Sequence, residues 1–260
     1  MRRRTVLRSL LHAARALALG LITALSGPGA AQAEELVGRN IDTRFMLAFA
    51  ADGERIGTML PEGWSAIGFP SGPLAGANLL VGLEERQLAM TSEGRPADPP
   101  RSRAVAFMTL AKGNEGVRLY VLRVLTSDAG YDLYPDAVHA AATRSSLFDA
   151  TVDAARQSET WSFAADTGGR LDISLNFDVG TGAWASSEAR PYSASDPELS
   201  WIFRYDQLVD LLTSEPMGKP LAGNFAISTD LPDIGGILDG SEALVGILSI
   251  PVYVREVFAP

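Results

Sequence analysis

Strict two-residue periodicity is the strongest constraint on this chain. Leu171, Ile173, Leu175 and Phe177 alternate with Asp172, Ser174, Asn176 and Asp178. Successive side chains of an extended strand point to opposite faces, so the pattern marks a strand with one buried face. The turn sequence Asp166-Thr167-Gly168-Gly169 precedes it and joins it to a run over 160–163, which predicts a hairpin. Further strands are predicted over 43–50, 77–87, 103–111, 117–126, 183–190, 200–205, 224–229 and 244–257. Lys112-Gly113-Asn114-Glu115-Gly116 reads as a hairpin loop between two of them. Helical segments are short: 52–60, stopped by Pro61-Glu62-Gly63, then 206–212 and 137–143. Residues 93–102 are rich in proline and arginine and read as an exposed loop. Many strands at short spacing, with small helices between them, predict a mainly β (α+β) chain built as an antiparallel barrel or sandwich.

The first 33 residues have the layout of an export signal. Arg2, Arg3, Arg4 and Arg8 make a basic start, an apolar run covers 16–25, and Ala31-Gln32-Ala33 is a small-residue cleavage site. The apolar run is shorter than the ~20 residues a membrane-spanning helix needs. Arg3-Arg4-Thr5-Val6-Leu7-Arg8 also resembles a twin-arginine signal. The expected location is the periplasm or the medium, with one domain over 34–260 and no stable membrane anchor.

The signal holds five arginines and no acid. Of the 22 basic and 31 acidic side chains, 17 and 31 remain after residue 33, a net charge of −14. Such a balance excludes the basic stripe that nucleic-acid binding needs. The absence of cysteine excludes disulfides, thiol nucleophiles and thiolate metal sites. His139 is the one histidine beyond the signal, so no histidine-rich zinc site can be built. Gly63-Trp64-Ser65-Ala66-Ile67-Gly68 lacks the spacing of a nucleophile elbow, and no nucleotide-binding loop occurs. No metal or cofactor is expected. His139 itself can be read as a general base or as a partly exposed helix residue.

Three segments resemble the opening of the acetoacetate decarboxylase family. They are Arg44-Phe45-Met46-Leu47-Ala48-Phe49, Asp52-Gly53-Glu54-Arg55-Ile56 and Leu60-Pro61-Glu62-Gly63-Trp64. The strand over 77–87, carrying Glu84 and Glu85, resembles the family's next element, and the match at motif level covers about 45 residues. The resemblance implies a closed, cone-like β-barrel with a buried central cavity. It also implies a Schiff-base lysine of depressed pKa. The corresponding region here, 129–137, contains Tyr131 and Tyr134 but no lysine. Lys112 falls at a hairpin tip and Lys219 between Gly218 and Pro220.

The resemblance places Arg44 near the cavity, against a substrate carboxylate, and Glu84 and Glu85 at an acidic strand position. Adjacent strand residues face opposite ways, so only one of the two glutamates can face a cavity. A buried glutamate would have a raised pKa and could act as acid or base. Tyr131 and Tyr134 would offer hydrogen bonds to a carbonyl oxygen. The arginine- and aromatic-rich segments 190–193 and 201–205 add Arg204 as a cavity-lining candidate. Three readings stay open: a binder of a small, mostly apolar acid or ketone; a lysine-independent lyase, hydratase or isomerase; and a non-catalytic scaffold.

Overall fold

The computed structural model describes residues 34–260 except positions 132, 152 and 153, so the export signal lies outside the described residues. The strands in chain order are β1 (Glu35–Ala50), β2 (Ser65–Ile67), β3 (Leu79–Thr91), β4 (Ser102–Gly113), β5 (Gly116–Thr126), β6 (Ala137–Ala150), β7 (Ala155–Ala165), β8 (Arg170–Asp178), β9 (Ala183–Ala189), β10 (Pro191–Ser193), β11 (Ile202–Ser214), β12 (Gly223–Thr229) and β13 (Ala243–Ala259). One helix, α1 (Gly53–Gly57), lies between β1 and β2. The predicted hairpins form as read: β7 pairs β8 across the Asp166–Gly169 turn, and Gly113 faces Gly116 between β4 and β5. Gly168 and Gly169 supply the positive φ that the first of these turns requires, at +97° and +83°.

The strands form one large mixed sheet in the order β12-β8-β7-β6-β5-β4-β3-β1-β13-β11-β9, with β10 on β5 and β2 on β4. Two features correct the expectation of a closed antiparallel barrel. The β5–β6 and β10–β5 pairings are parallel. The two ends, β12 and β9, are not paired with each other, so ladder hydrogen bonds do not close the sheet among the described residues.

Two predicted helices are strands. Residues 206–212 lie in β11, hydrogen-bonded to β13 on one side and β9 on the other. Register shifts at Leu208/Asp210 and Leu211/Thr213 break its alternation, and Leu208, Leu211 and Leu212 then mimic a helical spacing. Residues 137–143 are alanine-rich but run in β6, where pairing with β5 and β7 overrides helix propensity. The predicted helix over 52–60 shortens to α1. Asp52 caps it by accepting from the Glu54 and Arg55 amides at 2.9 and 3.3 Å.

The long sheet folds over itself into two layers. One face of β1, β3, β4 and β5 packs against β7, β8 and β12 through Phe45, Leu47, Phe107, Trp161, Phe163 and Phe177, all exposed by 2% or less. Phe45 meets Trp161 and Phe177 edge-on, at 6.5 and 5.8 Å, while Trp161 and Phe163 stack at 6.2 Å. The opposite face of β1, β3, β4 and β5 turns toward β11 and β13. There a second cluster joins Leu80, Leu110, Leu248 and Tyr253, and a third joins Val121 and Val124 to Tyr134, Trp201 and Phe203. This inner face carries the candidate site.

Candidate functional site

Charged residues at alternate positions on three neighbouring strands converge on the inner face. Asp42 and Arg44 come from β1, Glu84 and Arg86 from β3, and Tyr253 and Arg255 from β13. Register brings them together: Arg44 sits opposite Glu84, and Asp42 opposite Tyr253. A register shift in β1 between Asp42 and Arg44 re-aims the strand there.

Glu84 is the hub. Its carboxylate meets Arg44 Nη2 at 2.6 Å, Arg86 Nη2 at 3.0 Å and Arg255 Nη2 at 3.9 Å. Burial alone would raise its pKa. The guanidinium groups of Arg44, Arg255 and Arg86 outweigh that and hold it at about 2. The expected raised pKa is therefore reversed, and Glu84 is ionised at any physiological pH.

Asp42, fully buried, behaves oppositely. Its Oδ2 accepts from Arg44 Nε at 3.0 Å, from Arg44 Nη2 at 2.5 Å and from the Asn40 amide. Its Oδ1 has no hydrogen-bond partner among the described residues. Burial and the nearby Glu84 charge raise its pKa, against the opposing pull of Arg44 and Arg255. Two carboxyl groups on one guanidinium nitrogen thus have pKa values pushed apart.

Aromatic rings complete the cluster. The Arg44 guanidinium lies 3.8 Å from the Tyr253 ring centre, and Tyr253 stacks on Tyr205 at 5.0 Å. Arg255 lies 4.4 Å from the Phe203 ring and donates to Asn40 at 2.9 Å. Tyr131 lies close enough to Glu84, Arg255, Arg86 and Arg44 to feel their charges, and burial keeps its phenol protonated. The loop that carries it is fixed by Trp201 Nε1 donating to the Leu133 carbonyl at 2.6 Å. Although recessed, Arg44, Glu84, Arg86 and Asp128 keep 11–14% of their side-chain surface open to solvent.

The structure sorts the residues expected from sequence. Arg44, Glu84 and Tyr131 come together. Glu85 faces the other way and pairs with Arg103 through contacts of 2.6 and 3.1 Å. Tyr134 is buried, and its hydroxyl donates to the Pro191 carbonyl at 3.4 Å, anchoring the loop. Arg204 lies on the outer face, bound to Glu188 at 2.8 Å and Glu34 at 2.6 Å. Arg255, two strand positions from Tyr253, takes the place expected of it. Lys112 and Lys219 are both exposed, and His139 bonds Asp166 at 2.8 Å on an exposed stretch of β6. Asp42, Arg86, Tyr253 and Arg255 were missed. Their shared signal was an acid or phenol two residues from an arginine on three strands.

A separate open groove of about 400 Å³ lies on the outer face of β7, β8 and β12, lined by Ser162, Asp172, Ser174, Ala226 and Ser228 with Thr143 of β6. It does not include the charged cluster.

No family model matches the sequence, and no curated protein matches it. Solved structures do match in three dimensions. The enduracididine biosynthesis enzyme MppR with HEPES buffer bound superposes with a TM-score of 0.54 at 10% identity, over 91% of this chain and 96% of that one. MppR complexed with pyruvate gives 0.52 at 9% identity over 91% and 90%. An acetoacetate decarboxylase-like enzyme from Sphingomonas wittichii RW1 gives 0.52 at 11% identity over 86% and 90%. The chain therefore has the acetoacetate decarboxylase-like fold that its opening segments resemble.

Proposed function

We propose that this chain is an exported protein that binds a small, mostly apolar carboxylate or carbonyl compound on its inner face, without Schiff-base decarboxylation. The convergence of three guanidinium groups on that face carries the reading. Arg44, Arg86 and Arg255 outnumber the carboxylates of Glu84 and Asp128, and Arg44 and Arg86 keep 14% and 11% of their side-chain surface open while Arg255 is buried behind them. Guanidinium groups bind carboxylates through paired hydrogen bonds, and poor hydration of the site strengthens them. Tyr131, held as a phenol, can donate to a carbonyl oxygen. The MppR–pyruvate complex shows a 2-oxo acid bound to a protein of this fold, which supports the same ligand class here.

Calorimetric titration of the processed chain with pyruvate tests the reading. Binding is expected for the wild type and to weaken at least about tenfold in Arg44→Gln. Equal affinity in both proteins would remove Arg44 from the site. Sodium borohydride is expected to trap no adduct; a covalent adduct on Lys112 or Lys219 would restore lysine chemistry.

A second reading, acid–base catalysis without lysine, has one observation in its favour. Asp42 and Glu84 have pKa values driven apart, the pattern that separates acid from base in enzymes with paired carboxyl groups. On this reading Asp42 holds the proton. Deuterium exchange at the pyruvate methyl group, followed by NMR and lost in Asp42→Asn, would favour turnover over simple binding.

A further inference from the structure

The two faces of the central strands differ in how completely they are filled. Facing β7 and β8, Phe45, Leu47, Val81, Leu83, Val105 and Phe107 are at most 2% exposed. On the inner face of the same strands, Met46, Gly82, Ala106 and Met108 are only half-buried. These four lie beside the charged cluster. Gly82 is two residues from Glu84 and so shares its face. It stands opposite Met46 on one side and Ala106 on the other. Met46 packs with the second apolar cluster, and Met108 touches both the second and the third.

Gly82 has no turn to make, and its backbone is ordinary strand. The space where its side chain would stand is what distinguishes it. A Cβ there would be in van der Waals contact with the tips of Met108 and Met46, at 3.4 and 3.5 Å, and with the Ala106 carbonyl oxygen at 3.9 Å. Methionine ends are flexible and polarizable and adapt to an apolar guest. With alanine on the next strand, the result is a low floor between two movable thioethers, next to three guanidinium groups.

We infer that this floor is a tail subsite: Gly82 and Ala106 below, Met46 and Met108 beside, it selects 2-oxo acids with a bulky apolar tail over short ones. The inference rests on the carboxylate-binding reading above and adds the tail. Gly82 is its specificity-determining residue, because a Cβ there enters the tail's volume and meets Met108, Met46 and Ala106 but not Arg44.

The test compares pyruvate with phenylpyruvate by calorimetric titration of the processed chain. Phenylpyruvate is expected to bind at least about tenfold tighter, the scale set by filling an apolar pocket. Gly82→Val is expected to remove that preference, read as the ratio of the two affinities falling to within about twofold of one. Ala106→Leu fills the same space from β4 and is expected to act likewise, so a folding failure of one variant leaves the other. Pyruvate binding as tightly as phenylpyruvate, or a Gly82→Val variant that retains the preference, would overturn the tail subsite alone. Binding of neither acid to wild type would overturn the carboxylate reading together with it.

Discussion

Glu84→Gln is the most informative single change. The substitution keeps the shape and one acceptor oxygen but removes the charge on which Arg44, Arg86 and Arg255 converge. In the folded chain Glu84 titrates at about 2 instead of its ordinary 4.5. The difference corresponds to roughly 3 kcal/mol in favour of the folded, ionised state. Removing one partner of a buried ion pair costs about 3–5 kcal/mol, which agrees in size. The sign of the pH dependence follows from the depressed pKa. The contribution is fully present above about pH 4.5 and is lost as pH falls toward 2. Urea unfolding at pH 7 should therefore place the Glu84→Gln midpoint roughly 1–1.5 M below wild type, for a slope of about 2–3 kcal/mol/M. Wild type should lose roughly two-thirds of this increment between pH 5 and pH 2.5, and the variant should not. A variant within about 1 kcal/mol of wild type at pH 7, with an unchanged acid limb, would refute the hub role of Glu84.

Asp42→Asn should behave in the opposite sense. A raised folded pKa means that the Asp42 contribution is present below its unfolded value and declines as pH rises through the folded one, so the neutral isostere should cost less than Glu84→Gln at pH 7 by urea unfolding. A loss near 3 kcal/mol would show that Asp42 is ionised and holds Arg44 as a salt bridge. Asp52→Ala removes the cap of α1 and should cost about 1 kcal/mol, read from the same curves. Phe107→Ala, in the fully buried layer, should cost about 3–5 kcal/mol, and a loss below 1 kcal/mol would contradict the packing described. Glu85→Gln breaks only the Arg103 pair on the other face and should leave 2-oxo acid affinity within about twofold.

Much of the fold was legible because its strands obey simple rules. Between two hydrophobic runs, β8 alternates strictly, and glycine-containing loops mark the β4–β5 and β7–β8 hairpins. Strand β11 was misread because two bulges interrupt its period, and β6 because its alanines suit a helix until β5 and β7 pair with it. Closure of the sheet depends on how its two end strands meet, and no local pattern encodes that. For the site, resemblance pointed to Arg44, Glu84 and Tyr131. Asp42, Arg86 and Arg255 escaped because alternating charge ordinarily marks a solvated face. Here that face turns inward, and only the register between β1, β3 and β13 reveals that the charges meet.

The central claim is that a carboxylate ligand is held by Arg44 on the inner face. A crystal structure of the processed chain soaked with phenylpyruvate tests it most directly. The account predicts the ligand carboxylate at the Arg44 guanidinium, with the phenyl ring over Gly82 and no bond to either lysine. Ligand seated instead in the outer groove beside Asp172 and Ser228, or joined covalently to Lys112 or Lys219, would contradict it.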